Sequence, residues 1–154
     1  SNTYFYCMIR LNLPRYPFRI KSKENKLYIF DQNRKKEVLL TDEEWVRQHF
    51  VEYLVTGKNY PRSRVAVEKQ CQVEQMTKRT DIIVFDRKGE VEIIVECKAP
   101  SIEINQDTFD QIARYNLELK ANYLVVTNGL EHFYCQMDHE AREYKFLRDI
   151  PSYV

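Results

Sequence analysis

Apolar positions recur along the chain with two periods, and the changes from one to the other mark out its elements. After Thr41, the run DEEWVRQHFVEYLVT sets Val46, Phe50, Tyr53 and Leu54 on one side of a helix, and Gly57 ends it. Thr41, followed by Glu44 three residues later, fits a capping box at the helix start. A second helical stripe, Phe109, Ile112, Ala113 and Leu117, predicts a helix over residues 107–120. Between and beyond the helices the pattern turns β-like. Short strands are expected at 26–30 and 37–40 around the polar turn 31–36, then at 64–73, with a polar turn at 75–79. Residues 81–85 and 90–97 form the clearest hairpin, closed by Asp86-Arg87-Lys88-Gly89, and further strands follow at 123–127, 132–137 and 143–146. Residues 3–25, with Pro14 and Pro17, show no period and read as an extended N-terminal segment. The succession of strand 90–97, helix and strand 123–127 is a crossover unit, so those two strands should run parallel through a right-handed connection. The fold class is therefore α/β (α+β), a mixed central sheet flanked by helices.

With 154 residues, 44% of them hydrophobic, 31% charged and only 3 glycines, the composition is that of an ordinary globular chain. We expect a single domain over 1–154, with 1–40 as an N-terminal extension and hairpin. The net charge of +1 excludes a protein that grips nucleic acid by overall charge, so any such contact falls to local patches. Candidates are 33–36, the Arg62 and Arg64 pair, and Lys78 with Arg79; the alternative is that these short basic runs are solvated loops. The four cysteines stand far apart without zinc-ligand spacing, and Cys97 reads as a small buried thiol in a strand. His49, His132 and His139 make no metal or triad spacing. No signal-peptide pattern or bilayer-length apolar run is present, which points to the cytoplasm.

The chemistry lies in EVEIIVECKA, residues 90–99. Strand alternation points Glu96 and Lys98 to one face and Val95 and Cys97 to the other. With Lys88-Gly89 as a two-residue loop, Asp81 falls directly opposite Glu96, so both carboxylates and the ammonium share a face; a register slip of one residue would separate them. Opposed carboxylates repel unless a positive charge sits between them. Lys98 or a divalent cation would serve, and hard oxygen donors suit Mg²⁺ or Mn²⁺. Such a cluster fits phosphodiester hydrolysis, or else it is a solvated salt bridge at a strand end.

The spacing of Asp81 and Glu96-Cys97-Lys98 resembles the signature of the PD-(D/E)xK nuclease superfamily, with Thr80 in place of the proline. The runs LTDEEWVRQHF (40–50), RTDIIVFDRKGEVEIIVECKAP (79–100), TFDQIARYN (108–116) and YLVVTNGL (123–130) together resemble the N-terminal nuclease domain of type I restriction enzyme R subunits, in its stand-alone bacterial form. That resemblance implies a restriction-endonuclease-like core over about 31–150. It implies Asp81, Glu96 and the backbone carbonyl of Cys97 as Mg²⁺ ligands, and Lys98 as the residue serving the nucleophilic water. Gln111 and Tyr115 match the QxxxY motif of RecB-like members; on the helix they are one turn apart on a face displaced from the apolar stripe. Glu44 matches an acidic position of the first helix and Glu68 one of the preceding strand, so both are supporting candidates, although the cap alone accounts for Glu44. R subunits carry a helicase motor, whereas no GxxxxGK loop occurs in this sequence, so no ATP site is expected. The partners implied are DNA and helicase, methylase or specificity subunits. A double-strand cut takes two active sites, which is compatible with a homodimer, though no named residue argues for one. The expected function is a Mg²⁺-dependent DNA endonuclease, a metal-dependent deoxyribonuclease. The alternative is a catalytically silent binding module that works with a motor or partner; RNA as the target also remains open.

Overall fold

Two sheets grow from the alternating segments. The computed structural model describes residues 8–73 and 76–154, and the side chains of these except 70–78. Strands β1 (Ile20–Lys23), β2 (Lys26–Asp31) and β3 (Lys36–Leu39) form a three-stranded antiparallel sheet. Helix α1 (Asp42–Glu52) follows, and then β4 (Val65–Val73), β5 (Met76–Phe85), β6 (Val91–Cys97), helix α2 (Gln106–Asn116), β7 (Tyr123–Thr127), β8 (His132–Asp138) and β9 (Glu143–Leu147). These six strands make one sheet in the order β4-β5-β6-β7-β8-β9. The β6–β7 pair is parallel and its neighbours antiparallel, as the crossover requires.

Three elements differ from the sequence reading. β1 was not expected, because IKSK has a single apolar residue; it is a strand because it pairs with β2, Ile20 opposite Ile29. β5 starts five residues earlier than the apolar run, since the β4–β5 ladder continues to Val73↔Met76. The β5–β6 ladder reaches only Ile82↔Val95, and beyond it no third strand enforces an apolar alternation. Finally, α2 stops at Asn116 and tightens into a 3₁₀ turn, Leu117–Leu119, ended by left-handed Lys120. The tighter turn carries Leu117 off the buried stripe, leaving it exposed, while Asn116 is buried instead.

Each face of the large sheet carries its own core. Ile82, Val84, Ile93, Val95 and Cys97 face α1, whose Val46 and Phe50 pack there with Leu54 from the π-helical turn Tyr53–Gly57 that continues it, and with Leu11 and Ile29 from the N-terminal part. Ile83, Ile94, Leu124 and Val126 face α2 through Phe109 and Ala113. The start of α1 shows half of the expected capping box: Thr41 Oγ1 accepts the Glu44 N–H at 3.0 Å, but the Glu44 carboxylate turns to Arg34, Arg47 and Gln48 instead of back to the cap, so capping does not account for that side chain. The β7–β8 turn holds Gly129 at φ +85°, where a Cβ would come within 2.7 Å of Leu11. Among the described residues, no helix is long and apolar enough to cross a membrane.

Candidate active site

The site is built by strand register. β5 and β6 pair as Ile82↔Val95, Ile83↔Ile94 and Val84↔Ile93, and continuing that ladder by one residue sets Asp81 opposite Glu96. The turn is not the two-residue loop expected. A bulge between Val84 and Phe85 shifts the pairing to Phe85↔Val91, and Asp86 Oδ1 closes the loop by accepting the Lys88 and Glu90 N–H groups at 2.8 and 2.9 Å. The bulge absorbs the change of loop, so the register farther along is the one the sequence suggested. On the other side, β4 pairs with β5 as Val67↔Ile82 and Lys69↔Thr80, which sets Glu68 opposite Asp81. Glu68, Asp81 and Glu96 therefore occupy one row across three strands, at the carboxyl end of β6. Within that row Glu68 is left-handed, with φ +56°, a conformation that costs a glutamate roughly 1–3 kcal/mol.

Three carboxylates in a row call for positive charge, and the chain supplies it from α1. Arg47 is 5% exposed, and its Nη2 lies 2.7 Å from Glu68 Oε1, 2.9 Å from Asp81 Oδ1 and 2.9 Å from Glu43 Oε1. Its Nη1 donates to Glu44 Oε1 at 2.6 Å. Burial opposes the Arg47 charge, yet Asp81 and Glu44 outweigh burial and hold the guanidinium protonated more firmly than usual. The other Asp81 oxygen, Oδ2, accepts the Cys97 N–H at 2.8 Å, which ties β5 to the end of β6. Glu96 has no such share of positive charge. Burial first, and the Asp81 carboxylate second, push its pKa well above the ordinary carboxylate range, with Lys98 offsetting part of the rise. Among the described residues, no three acidic, His or Cys side chains converge ready to hold a metal, because Arg47 already draws Asp81 and Glu68 toward itself.

Residues 42–151 match the family described as the type I restriction enzyme R protein N terminus (HSDR_N). The chain belongs to that family. A solved chain described as the fragment structure of an HsdR subunit of a type I restriction enzyme, from Vibrio vulnificus YJ016, shares the fold with a TM-score of 0.51 at 17% identity. The likeness covers 73% of this chain and 24% of that one, so the present chain spans about a quarter of the relative's length. No curated protein matches.

In this R protein N-terminal domain the remaining candidates fall into distinct settings. Lys98 is half-buried beside Glu96, its backbone N–H donating to Thr127 O at 2.8 Å. Thr80 is fully buried. The Glu44 carboxylate accepts from Arg34, Arg47 and Gln48 at 2.6–3.0 Å, so its oxygens are engaged within the chain. Gln111 is exposed on α2 and Tyr115 is 45% exposed one turn later, on the face of the sheet to which alternation assigns Glu96 and Lys98 with Ile94. Of the basic residues, Arg62 is locked in a two-pronged pair with Glu52 at 2.7 and 2.8 Å and also donates to Asn33, and Arg79 pairs with Glu68. Arg64 is half-buried, with Nη1 lacking a partner, and the Lys78 side chain lies outside the described residues. The histidines serve structure: His49 sits against Trp45 O, His132 between Thr127 and Asn12 O, and His139 on Ala121 O. Sequence reading missed Arg47. Its spacing, four residues after Glu43 and three after Glu44, marks a helical ion pair, and only the tertiary fold adds Glu68 and Asp81 to it.

Proposed function

We propose that this R protein N-terminal domain is the nuclease part of a restriction system, hydrolysing DNA phosphodiester bonds with a divalent cation, Mg²⁺ or Mn²⁺. What carries the reading is the pairing of Asp81 and Glu96 across β5 and β6, with Lys98 on the face of Glu96. The donor chemistry fits. Two carboxylates and the Cys97 carbonyl are hard oxygens, and burial together with the Asp81 carboxylate raises the Glu96 pKa, a penalty on its charged form that a bound cation would relieve. When bound there, the cation supplies Lewis-acid stabilisation of the charge developing on the phosphoryl group.

The chain's own residues divide the remaining work. Asp81 and Glu96 hold the cation, and the Cys97 N–H fixes the Asp81 carboxylate so that it stays aimed along the row. The Lys98 side chain orients the attacking water and, as the neutral amine, accepts its proton to become the ammonium, a contribution of about 10²–10⁴-fold in rate. Gln111 and Tyr115, exposed on α2, steer the DNA backbone toward that end of β6. Glu68 and Glu44 act through Arg47 rather than on the substrate.

The test is cleavage of plasmid and single-stranded DNA in Mg²⁺ or Mn²⁺ by the wild type beside Asp81→Asn, Glu96→Gln and Lys98→Ala. Cleavage that each substitution lowers by about a hundredfold or more is the expected outcome. Activity that survives Lys98→Ala unchanged would remove the role given to that lysine. A second reading, a nuclease-like module that binds DNA or a motor subunit without cutting alone, is favoured by the pairing of Arg62 and Arg79 inside the chain, which leaves less basic surface for DNA. DNA binding without cleavage by the wild type would select it.

A further inference from the structure

We propose that Arg47 is a resident counter-cation of this site, one that holds Asp81 and Glu68 until a divalent cation takes its place and so sets the affinity for that cation. The inference rests on the nuclease reading and adds to it a residue that no motif marks. Both Asp81 oxygens are engaged, Oδ1 by Arg47 and Oδ2 by the Cys97 N–H. A cation that takes Asp81 as a ligand therefore meets the guanidinium first.

The way Arg47 is fastened makes it a replaceable occupant. Among the described residues its Nε is buried without a hydrogen-bond partner, and the head is held by carboxylates at its two terminal nitrogens. A buried donor left unpaired is destabilising, and the chain tolerates that for contacts whose strength depends on those carboxylates keeping their negative charge. A divalent ion at Asp81 neutralises that charge and repels the guanidinium. Glu43 and Glu44, one turn back on the same helix, remain as a second berth, so release from Asp81 and Glu68 takes a short swing and leaves the charge paired. An arginine that merely braced the site would behave in the opposite way: removing it would loosen Asp81 and weaken cation binding.

The experiment is titration of the protein with Mn²⁺, reading bound ion by electron paramagnetic resonance, for the wild type and Arg47→Gln. The expected result is that Arg47→Gln binds Mn²⁺ about tenfold or more tightly, while its melting temperature without metal falls. Equal or weaker binding by Arg47→Gln overturns the proposal and leaves the nuclease reading intact. Absence of bound Mn²⁺ in either protein at millimolar concentrations overturns both together. Should Arg47→Gln fail to fold, the ¹⁵N guanidinium signals of the wild type carry the test, with Arg47 assigned through Arg47→Lys. A signal that moves as Mg²⁺ loads supports displacement, and one that stays fixed while Mg²⁺ binds overturns it.

Discussion

At the scale of single residues, the charges around the site form a chain that reaches back into the N-terminal sheet. Asp31, 2% exposed at the end of β2, accepts the Asn33 and Arg34 N–H groups on Oδ1, each at 2.8 Å, and Arg34 Nε and Gln48 Nε2 on Oδ2 at 2.7 and 3.0 Å. Arg34 also donates to Glu44, and Glu44 accepts from Arg47. Burial alone would raise the Asp31 pKa, but the backbone and guanidinium of Arg34 outweigh it and hold the carboxyl below its ordinary value. A carboxyl with a lowered folded pKa binds fewer protons in the folded state, so its stabilisation is full above the usual aspartate pKa of about 3.9 and is lost as pH falls through the folded value. Thermal melts should therefore show a melting temperature that falls once the pH drops below about 4. Asp31→Asn should melt lower at neutral pH and lose part of the acid slope; equal slopes in the two proteins would deny Asp31 that role.

At the scale of elements, the junctions carry constraints that the elements themselves do not. The Asn128-Gly129 turn is legible in the sequence as a turn, but the need for glycine has two sources. One is the positive φ, and the other is the side chain of Leu11, which lies where a Cβ would point. Gly129→Ala should cost about 2 kcal/mol or more from backbone strain and overpacking together. For a domain of this size that lowers the melting temperature by roughly 4–8 °C, readable by circular dichroism. A change within about 1 °C would show that Leu11 yields freely. The helix starts were legible because Thr41 and the α1 stripe obey local chemistry. The end of α2 was not, since nothing within the run ARYNLELK announces the tightening that exposes Leu117. β1 was equally hidden, its strand character coming from β2 rather than from its own residues.

At the scale of the molecule, the three-stranded sheet is part of the working body even though the family match begins at residue 42. Ile29 is fully buried against the α1-side core, Leu11 joins it, and Asp31 with Arg34 anchors Glu44. A chain beginning at Thr41 should melt about 10 °C lower or lose its cooperative transition, because each buried aliphatic group removed costs about 2–5 kcal/mol. An unchanged calorimetric melt would make the sheet an appendage. The large sheet and the row of Asp81 and Glu96 were readable in advance because hydrophobic alternation fixes which face each residue takes. Arg47 was not, because two of its four partners, Glu68 on β4 and Asp81 on β5, reach it only when the complete fold brings those strands to α1. The strand order β4-β5-β6-β7-β8-β9 is also the order of synthesis. Every ladder in that sheet forms between consecutive strands, so no pairing waits for a distant segment to arrive, and the longest closure is the α2 crossover. Contact order within the sheet is thereby kept low, and a ribosome can release the chain strand by strand onto an edge already in place, with Asp81 and Glu96 paired before β7 has emerged.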